Sequence, residues 1–143
     1  MEDLSLHVLD IAENSLRAGA KNINIKIIEE KIKNVLILQI EDDGIGMKNQ
    51  ILTHASNPFY TTKEGKKFGL GLALLSQACE EVGGNLKVKK RTVKGTRIIA
   101  TFYSNHIDMK PLGNIADTMR VLKFSHPQVN FSFEHVIKNG GNS

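Results

Sequence analysis

Residues 57–71 read NPFYTTKEGKKFGLG: a Pro-Phe-Tyr knot, two threonines, lysines at 63, 66 and 67, and two glycines separated by one leucine. So much rigid, cationic and glycine-rich chemistry does not suit a packed core. It suits a loop that closes over an anion, because glycine lets backbone N–H groups approach closely and lysine supplies positive charge. Directly downstream, Leu70 to Val82 place apolar residues at helical spacing, and Gly83-Gly84 supply the stop. The spacing predicts a helix opening near Leu70, with Gly69 and Gly71 freeing N–H groups at its positive end.

Working outward, residues 3–18 set Leu4, Val8, Ile11, Ser15 and Leu16 at helical spacing and end at Gly19, a residue suited to a left-handed helix stop. NINIKIIEE and NVLILQIED are β-branched, apolar runs joined by a short charged turn near Lys31 to Lys33, which predicts a hairpin. A short helix is expected around residues 48–54. NLKVKKRTV and TRIIATFYS predict a second hairpin across Lys94 and Gly95. The order helix, two strands, loop, helix, two strands predicts an α+β sandwich with the helices on one face of a sheet. Beyond Asn105, PLGNIADTMRVLKF reads as one more helix and QVNFSFEHV as one more strand, a segment too small for a second domain.

Composition narrows the functional classes. A chain of 143 residues with 41% hydrophobic and 24% charged residues is a folded single domain rather than a disordered or fibrous chain. No apolar run reaches transmembrane length and MEDLSLHVLD lacks the pattern of a signal peptide, so a cytoplasmic protein without membrane partners is expected. One cysteine, Cys79, makes neither an internal disulfide nor a thiolate metal cage, and its apolar setting predicts a buried thiol. The net charge of +4 is modest, and Lys87 to Lys94 alternate with apolar residues as a solvated strand face would, which argues against a nucleic-acid partner. The five histidines have no metal-ligand spacing, and neither a Walker A loop nor a Gly-x-Ser-x-Gly motif is present.

Four segments, HVLDIAENSLRAGAKNI, EDDGIGM, NPFYTTK and GLGLAL, follow one another over residues 7–74. In that order they resemble the N, G1, F and G2 boxes of the GHKL ATP-binding superfamily, which takes in gyrase, Hsp90-type chaperones, sensor histidine kinases and mismatch-repair ATPases. The resemblance implies a two-layer sandwich with a mostly antiparallel, mixed sheet. It covers residues 1–103 as the ATP-binding domain and leaves 104–143 as a helix-strand extension expected to pack on it.

The same resemblance implies ATP and Mg2+ as cofactors and assigns roles by position. Asp10 and Asn14 are four apart on a helix and so share a face. Asn14 matches the metal-binding asparagine, consistent with magnesium's preference for hard oxygen ligands. Asp10 stands where hydrolytic and serine-kinase relatives place a glutamate as general base. One methylene shorter, it either orients a water or hydroxyl or supports the metal shell through water, and the sequence leaves both open. Asp42 matches the adenine-reading aspartate, a fixed acceptor for the exocyclic amine, with Gly44 and Gly46 letting the backbone approach the base. Asp43 is then expected to be a bystander, and Glu13 to be solvated. Phe59, Thr62 and Lys63 belong to an ordered lid, with Phe59 packed beneath it. Gly69, Leu70 and Gly71 form the phosphate-facing box, so the anion at the opening segment is a nucleotide triphosphate. Thr96, on a late strand, is expected to approach the adenine.

The asparagine motif begins almost at Met1, so no upstream dimerisation or phosphoacceptor helices are expected, and a protein substrate is expected to come in trans. The principal expectation is therefore a histidine-kinase-like ATPase or protein kinase domain that moves the γ-phosphate to a partner's side chain or to water. An anti-sigma-type serine kinase and a slowly hydrolysing, nucleotide-dependent binding switch are the alternatives. The sequence leaves self-association into a homodimer open.

Overall fold

A computed structural model describes residues 3–44, 66–90, 95–103 and 112–139. The elements run α1 (Leu4–Arg17), β1 (Asn22–Glu30), β2 (Val35–Asp42), α2 (Lys66–Glu81), β3 (Asn85–Lys90), β4 (Thr96–Tyr103), α3 (Ile115–Ser125) and β5 (Asn130–Lys138). The expected helix at 48–54 and the lid lie outside the described residues.

Five strands form one sheet in the order β3-β4-β2-β1-β5. Both expected hairpins are antiparallel, β2 pairs antiparallel with β4, and β5 returns parallel to β1, so the sheet is mixed. The period-two pattern of each strand decides which face is dry. Ile23, Ile25 and Ile27 of β1, Leu36, Leu38 and Ile40 of β2, and Ile98, Ala100 and Phe102 of β4 are all buried on one face. The helices cover that face with Leu4, Val8 and Ile11 of α1, Leu72, Leu75 and Cys79 of α2, and Ile115, Met119 and Leu122 of α3. Gly19 and Gly83 take φ of 79° and 80°, so α1 and α2 do stop at left-handed glycines. Cys79 is fully buried, and burial pushes its thiol up to about 12.

The C-terminal helix and strand are continuous with this layer arrangement. Asn114 caps α3 by accepting from the Asp117 N–H at 3.0 Å, α3 packs on α1, and β5 runs in register with β1 from Asn22↔Asn130 to Glu30↔Lys138. Among the described residues no helix is long and apolar enough to cross a membrane.

The structure corrects one boundary. α2 begins at Lys66, not near Leu70. Only the first four N–H groups of a helix lack an intrahelical acceptor, so Gly69 supplies the last of them, while Leu70 and Gly71 lie inside the helix. Lysine is a good helix former and nothing at 66–68 interrupts the turn, so the helix extends upstream of the apolar periodicity that marks it in sequence.

Candidate functional site

α1, the end of β2, the start of β4 and α2 meet around four polar side chains that are nine-tenths or more buried: Asn14, Ser15, Asp42 and Thr96. Two adjacent residues of α1 serve this site differently. Ser15 faces β2, and its Oγ donates to Asp42 Oδ2 at 2.7 Å. Asn14 faces α2 and accepts a 3.0 Å hydrogen bond from the exposed Arg17 guanidinium one turn on.

Asp42 is the last residue of β2, where the strand's alternation turns its side chain toward the helices. Its second oxygen, Oδ1, accepts from the Gly44 N–H at 2.9 Å. A carboxylate offers about four acceptor positions, and these bonds to its two oxygens fix its orientation. Thr96 opens β4 directly opposite Asp42 in the antiparallel register. Thr96 thus stands next to Asp42 on the neighbouring strand.

The glycines act through close approach. A Cβ on Gly71 would sit 3.2 Å from Asn14 Nδ2 and 4.0 Å from Asp10 Cβ, so its absence lets α2 lie against the polar edge of α1. A Cβ on Gly44 would fall 2.9 Å from both the Cβ and the carbonyl oxygen of Ala18, which makes Gly44 a contact to the end of α1 as well as a turn residue. Asp10 is exposed and borders Gly71 on the same side as Asn14, as their four-residue spacing requires. Gly46, Phe59, Thr62 and Lys63 lie outside the described residues, as do the side-chain surroundings of Gly69 and Leu70.

Asp43 is no bystander. Its Oδ1 accepts from the N–H groups of Lys21 and Asn22 at 2.8 and 2.9 Å, and its Oδ2 accepts from Asn22 Nδ2 at 2.7 Å. The Asn22 side-chain bond is the largest cause holding this carboxyl down at about 2, against the opposing effect of burial. Asp43 clamps the start of β1 to the end of β2 and so fixes the strand that presents Asp42. Sequence reasoning also missed Ser15 and Arg17. Ser15 looked like a core position of α1, and its only local signal is a hydroxyl amid apolar neighbours.

The donor set accommodates a nucleotide with a hard cation. Asn14 Nδ2 is buried without a hydrogen-bond partner among the described residues, an orphan polar group beside Gly71 that a bound ligand would satisfy. Asn14 Oδ1 already serves a cationic group, and Asp10 adds negative charge one turn away. Among the described residues no cluster of three or more His, Cys, Asp or Glu exists to hold a metal. A magnesium ion here would therefore depend on Asn14, water and phosphate oxygens, which is the ligand set that ion accepts.

Comparison with known proteins bears on this arrangement. Sensor histidine kinase YvrG of Bacillus subtilis is 33% identical over 93 residues, covering 62% of this chain and 16% of the kinase. Sporulation kinase C of the same organism is 32% identical over 88 residues, covering 62% of the chain and 20% of the kinase. The chain thus spans about a fifth or less of these relatives. Among solved structures, the ADP-complexed ATPase domain of Aquifex aeolicus MutL superposes with a TM-score of 0.63 at 12% identity, over 99% of this chain and 65% of that one. The catalytic domain of the histidine kinase ThkA gives a TM-score of 0.52 at 23% identity, over 69% and 64% respectively. At these identities the superpositions speak for fold alone, and the MutL match includes α3 and β5. The sequence model for histidine kinase-, DNA gyrase B-, and HSP90-like ATPases matches residues 2–106, and the chain belongs to that family.

Proposed function

We propose that the chain binds Mg-ATP between α1 and α2 and passes the γ-phosphate in trans to a side chain of a partner protein or to water. Residues 1–103 form the ATP-binding domain on this reading, and the C-terminal extension completes its sheet. The observation that carries the proposal is the buried carboxylate of Asp42, pinned through both oxygens by Ser15 and Gly44. A fixed acceptor of this kind is suited to an exocyclic amine, because its orientation cost is already met before the ligand arrives. Asn14 would hold the magnesium ion, which supplies charge neutralisation at the phosphates. Gly69, Leu70 and Gly71 would approach the phosphates from α2, and Thr96 the base. Gly46, Phe59, Thr62 and Lys63 complete the assignment from sequence. A cytoplasmic location is part of the same reading, since that is where a domain of this kind meets ATP.

Asp10 is exposed beside Gly71 and is the candidate general base. Its short side chain favours a second reading, in which nucleotide acts as a ligand that switches partner binding and hydrolysis is slow. The decisive experiment on binding is calorimetry of ATP with the Asp42→Asn protein. The amide places N–H donors where Ser15 Oγ, the Gly44 N–H and the adenine amine all need acceptors, a loss of about 1–3 kcal/mol. Unaltered ATP affinity in that variant, with the fold intact by circular dichroism, would overturn the adenine assignment.

A further inference from the structure

The C-terminal helix and strand touch the framework of the site at two points. At the start of α1 the Ser5 N–H, one of the donors that a helix leaves unpaired in its first turn, bonds to the Leu112 carbonyl at 3.1 Å. Gly113 lies against the same end, where an added Cβ would strike the Asp3 carboxyl. At the turn between α1 and β1, the Asn130 N–H bonds to the Lys21 carbonyl at 2.9 Å, and Asn130 Nδ2 donates to Asn22 Oδ1 at 3.1 Å. The extension therefore holds α1 at its start and just beyond its end.

The second point continues into the site. Asn22 Nδ2 donates to Asp43 Oδ2 at 2.7 Å, while Asp43 Oδ1 takes the Lys21 and Asn22 N–H groups. Asn130, Asn22 and Asp43 thus form one hydrogen-bonded row from β5 across β1 to the end of β2, and chemistry forces its direction. An amide has one donor end and one acceptor end, and an ionised carboxylate only accepts. Asn22 must turn its nitrogen to Asp43, which leaves Oδ1 facing β5 in need of a donor. Asn130 supplies it. Asp43 directly follows Asp42, which Ser15 binds from the last turn of α1. The row and the Ser15 bond therefore bridge the same junction, between the end of α1 and the end of β2.

We infer that Asn130 is a positioning residue for the nucleotide site. It acts through the Asn22 amide, which steadies the Asp43 carboxylate and with it the end of β2 that presents the Asp42 side chain. This role rests on the proposed nucleotide binding, because it is a share in the affinity for ATP. Asn130 and Asn22 are exposed, so the share is that of solvated hydrogen bonds and amounts to a severalfold change in affinity rather than its loss.

The polarity of the row separates two substitutions at position 130. Asn130→Asp conflicts with it in either setting of the Asn22 amide. With the Asn22 nitrogen toward Asp43, an amide oxygen meets the new carboxylate at β5; with that nitrogen toward β5, the oxygen meets Asp43. Asn130→Ala removes a donor and hands Asn22 Oδ1 to water, which leaves the bond to Asp43 in place.

ATP calorimetry and the NMR signal of the Asn22 side-chain amide, recorded on the nucleotide-free full chain, test the role in wild type and both variants. Point variants are used because removing the extension would also release the start of α1. An amide proton held by a carboxylate lies downfield and exchanges slowly. Asn130→Asp should abolish that signature and weaken ATP binding about fivefold, while Asn130→Ala keeps the signature and costs less than about twofold. Repulsion between exposed carboxylates is screened in about 1 M salt, whereas a mismatched amide is not, so the difference between the variants should persist there. Asp43→Asn supplies a donor to Asn22 Oδ1, so adding Asn130→Asp to it should cost no further affinity. Equal losses from Asn130→Asp and Asn130→Ala would make Asn130 a residue of the strand alone and overturn the role. Wild-type ATP affinity in Asn130→Asp overturns it equally. A wild-type chain that binds no ATP overturns the proposed function and the positioning role with it, whereas an Asn22 signal that Asn130→Asp leaves unmoved removes the row and leaves that function standing.

Discussion

Ser15 Oγ and Asp42 Oδ2 are joined by a buried 2.7 Å hydrogen bond that spans 27 residues of sequence and ties the last turn of α1 to the end of β2. Bonds to a charged acceptor are stronger than neutral ones, and removing a donor leaves the carboxylate desolvated with less compensation. Ser15→Ala should lower the unfolding free energy by about 1–3 kcal/mol in urea titrations. It should also weaken ATP binding severalfold, because the carboxylate loses the bond that fixes its Oδ2. If calorimetry shows ATP affinity untouched while stability falls, Ser15 serves the fold alone.

Gly71 separates stability from function. Glycine inside a helix costs about 1 kcal/mol relative to alanine, so Gly71→Ala gains helix propensity. The added Cβ would stand 3.2 Å from Asn14 Nδ2 and push α1 and α2 apart by a few tenths of an ångström. The two effects nearly cancel in thermal stability. ATP binding should nevertheless fall, since Asn14 and Asp10 both border that contact, and a melting temperature near wild type with reduced affinity is the expected pair of results.

Asp10 is tested by asking for turnover and affinity on one mutant. As a general base, Asp10→Asn should leave ATP affinity near wild type and reduce single-turnover phosphoryl transfer or hydrolysis by about 100-fold or more. Asp10→Glu, with its longer reach, should then retain or raise the rate. Equal losses in magnesium-dependent binding and in rate would assign Asp10 to the metal shell, and unchanged turnover in Asp10→Asn would favour the switch.

Acid sensitivity should report the Asp43 clamp. Its carboxyl is held at about 2 in the folded chain against an ordinary value of 3.8, so the folded state binds the proton less readily than the unfolded one. The clamp's contribution is therefore fully present above pH 3.8 and is lost as pH falls from there toward 2. Urea midpoints measured across that window should drop less steeply for Asp43→Asn than for wild type. Parallel acid limbs in the two proteins would show that the clamp contributes nothing.

The sequence by itself determined the five described strands, the three described helices and the family. Hydrophobic periods of two and 3.6 are local properties of NINIKIIEE, NVLILQIED and the two long helices, and the four boxes place Asn14 and Asp42 without any coordinates. Short-range geometry sufficed there, as it did for the common face of Asp10 and Asn14, because four residues make about one turn of helix. The tertiary structure alone decided the rest. That β5 pairs with β1 in parallel, that Ser15 reaches Asp42 and that Asp43 clamps Lys21 and Asn22 all depend on which segments lie side by side. The start of α2 at Lys66 escaped for a related reason, since apolar periodicity marks the packed part of a helix and is silent about a polar first turn. Pairings across 21 to 108 residues carry no periodic signal in the chain. They are fixed by the joint burial of surfaces that local sequence describes only one at a time.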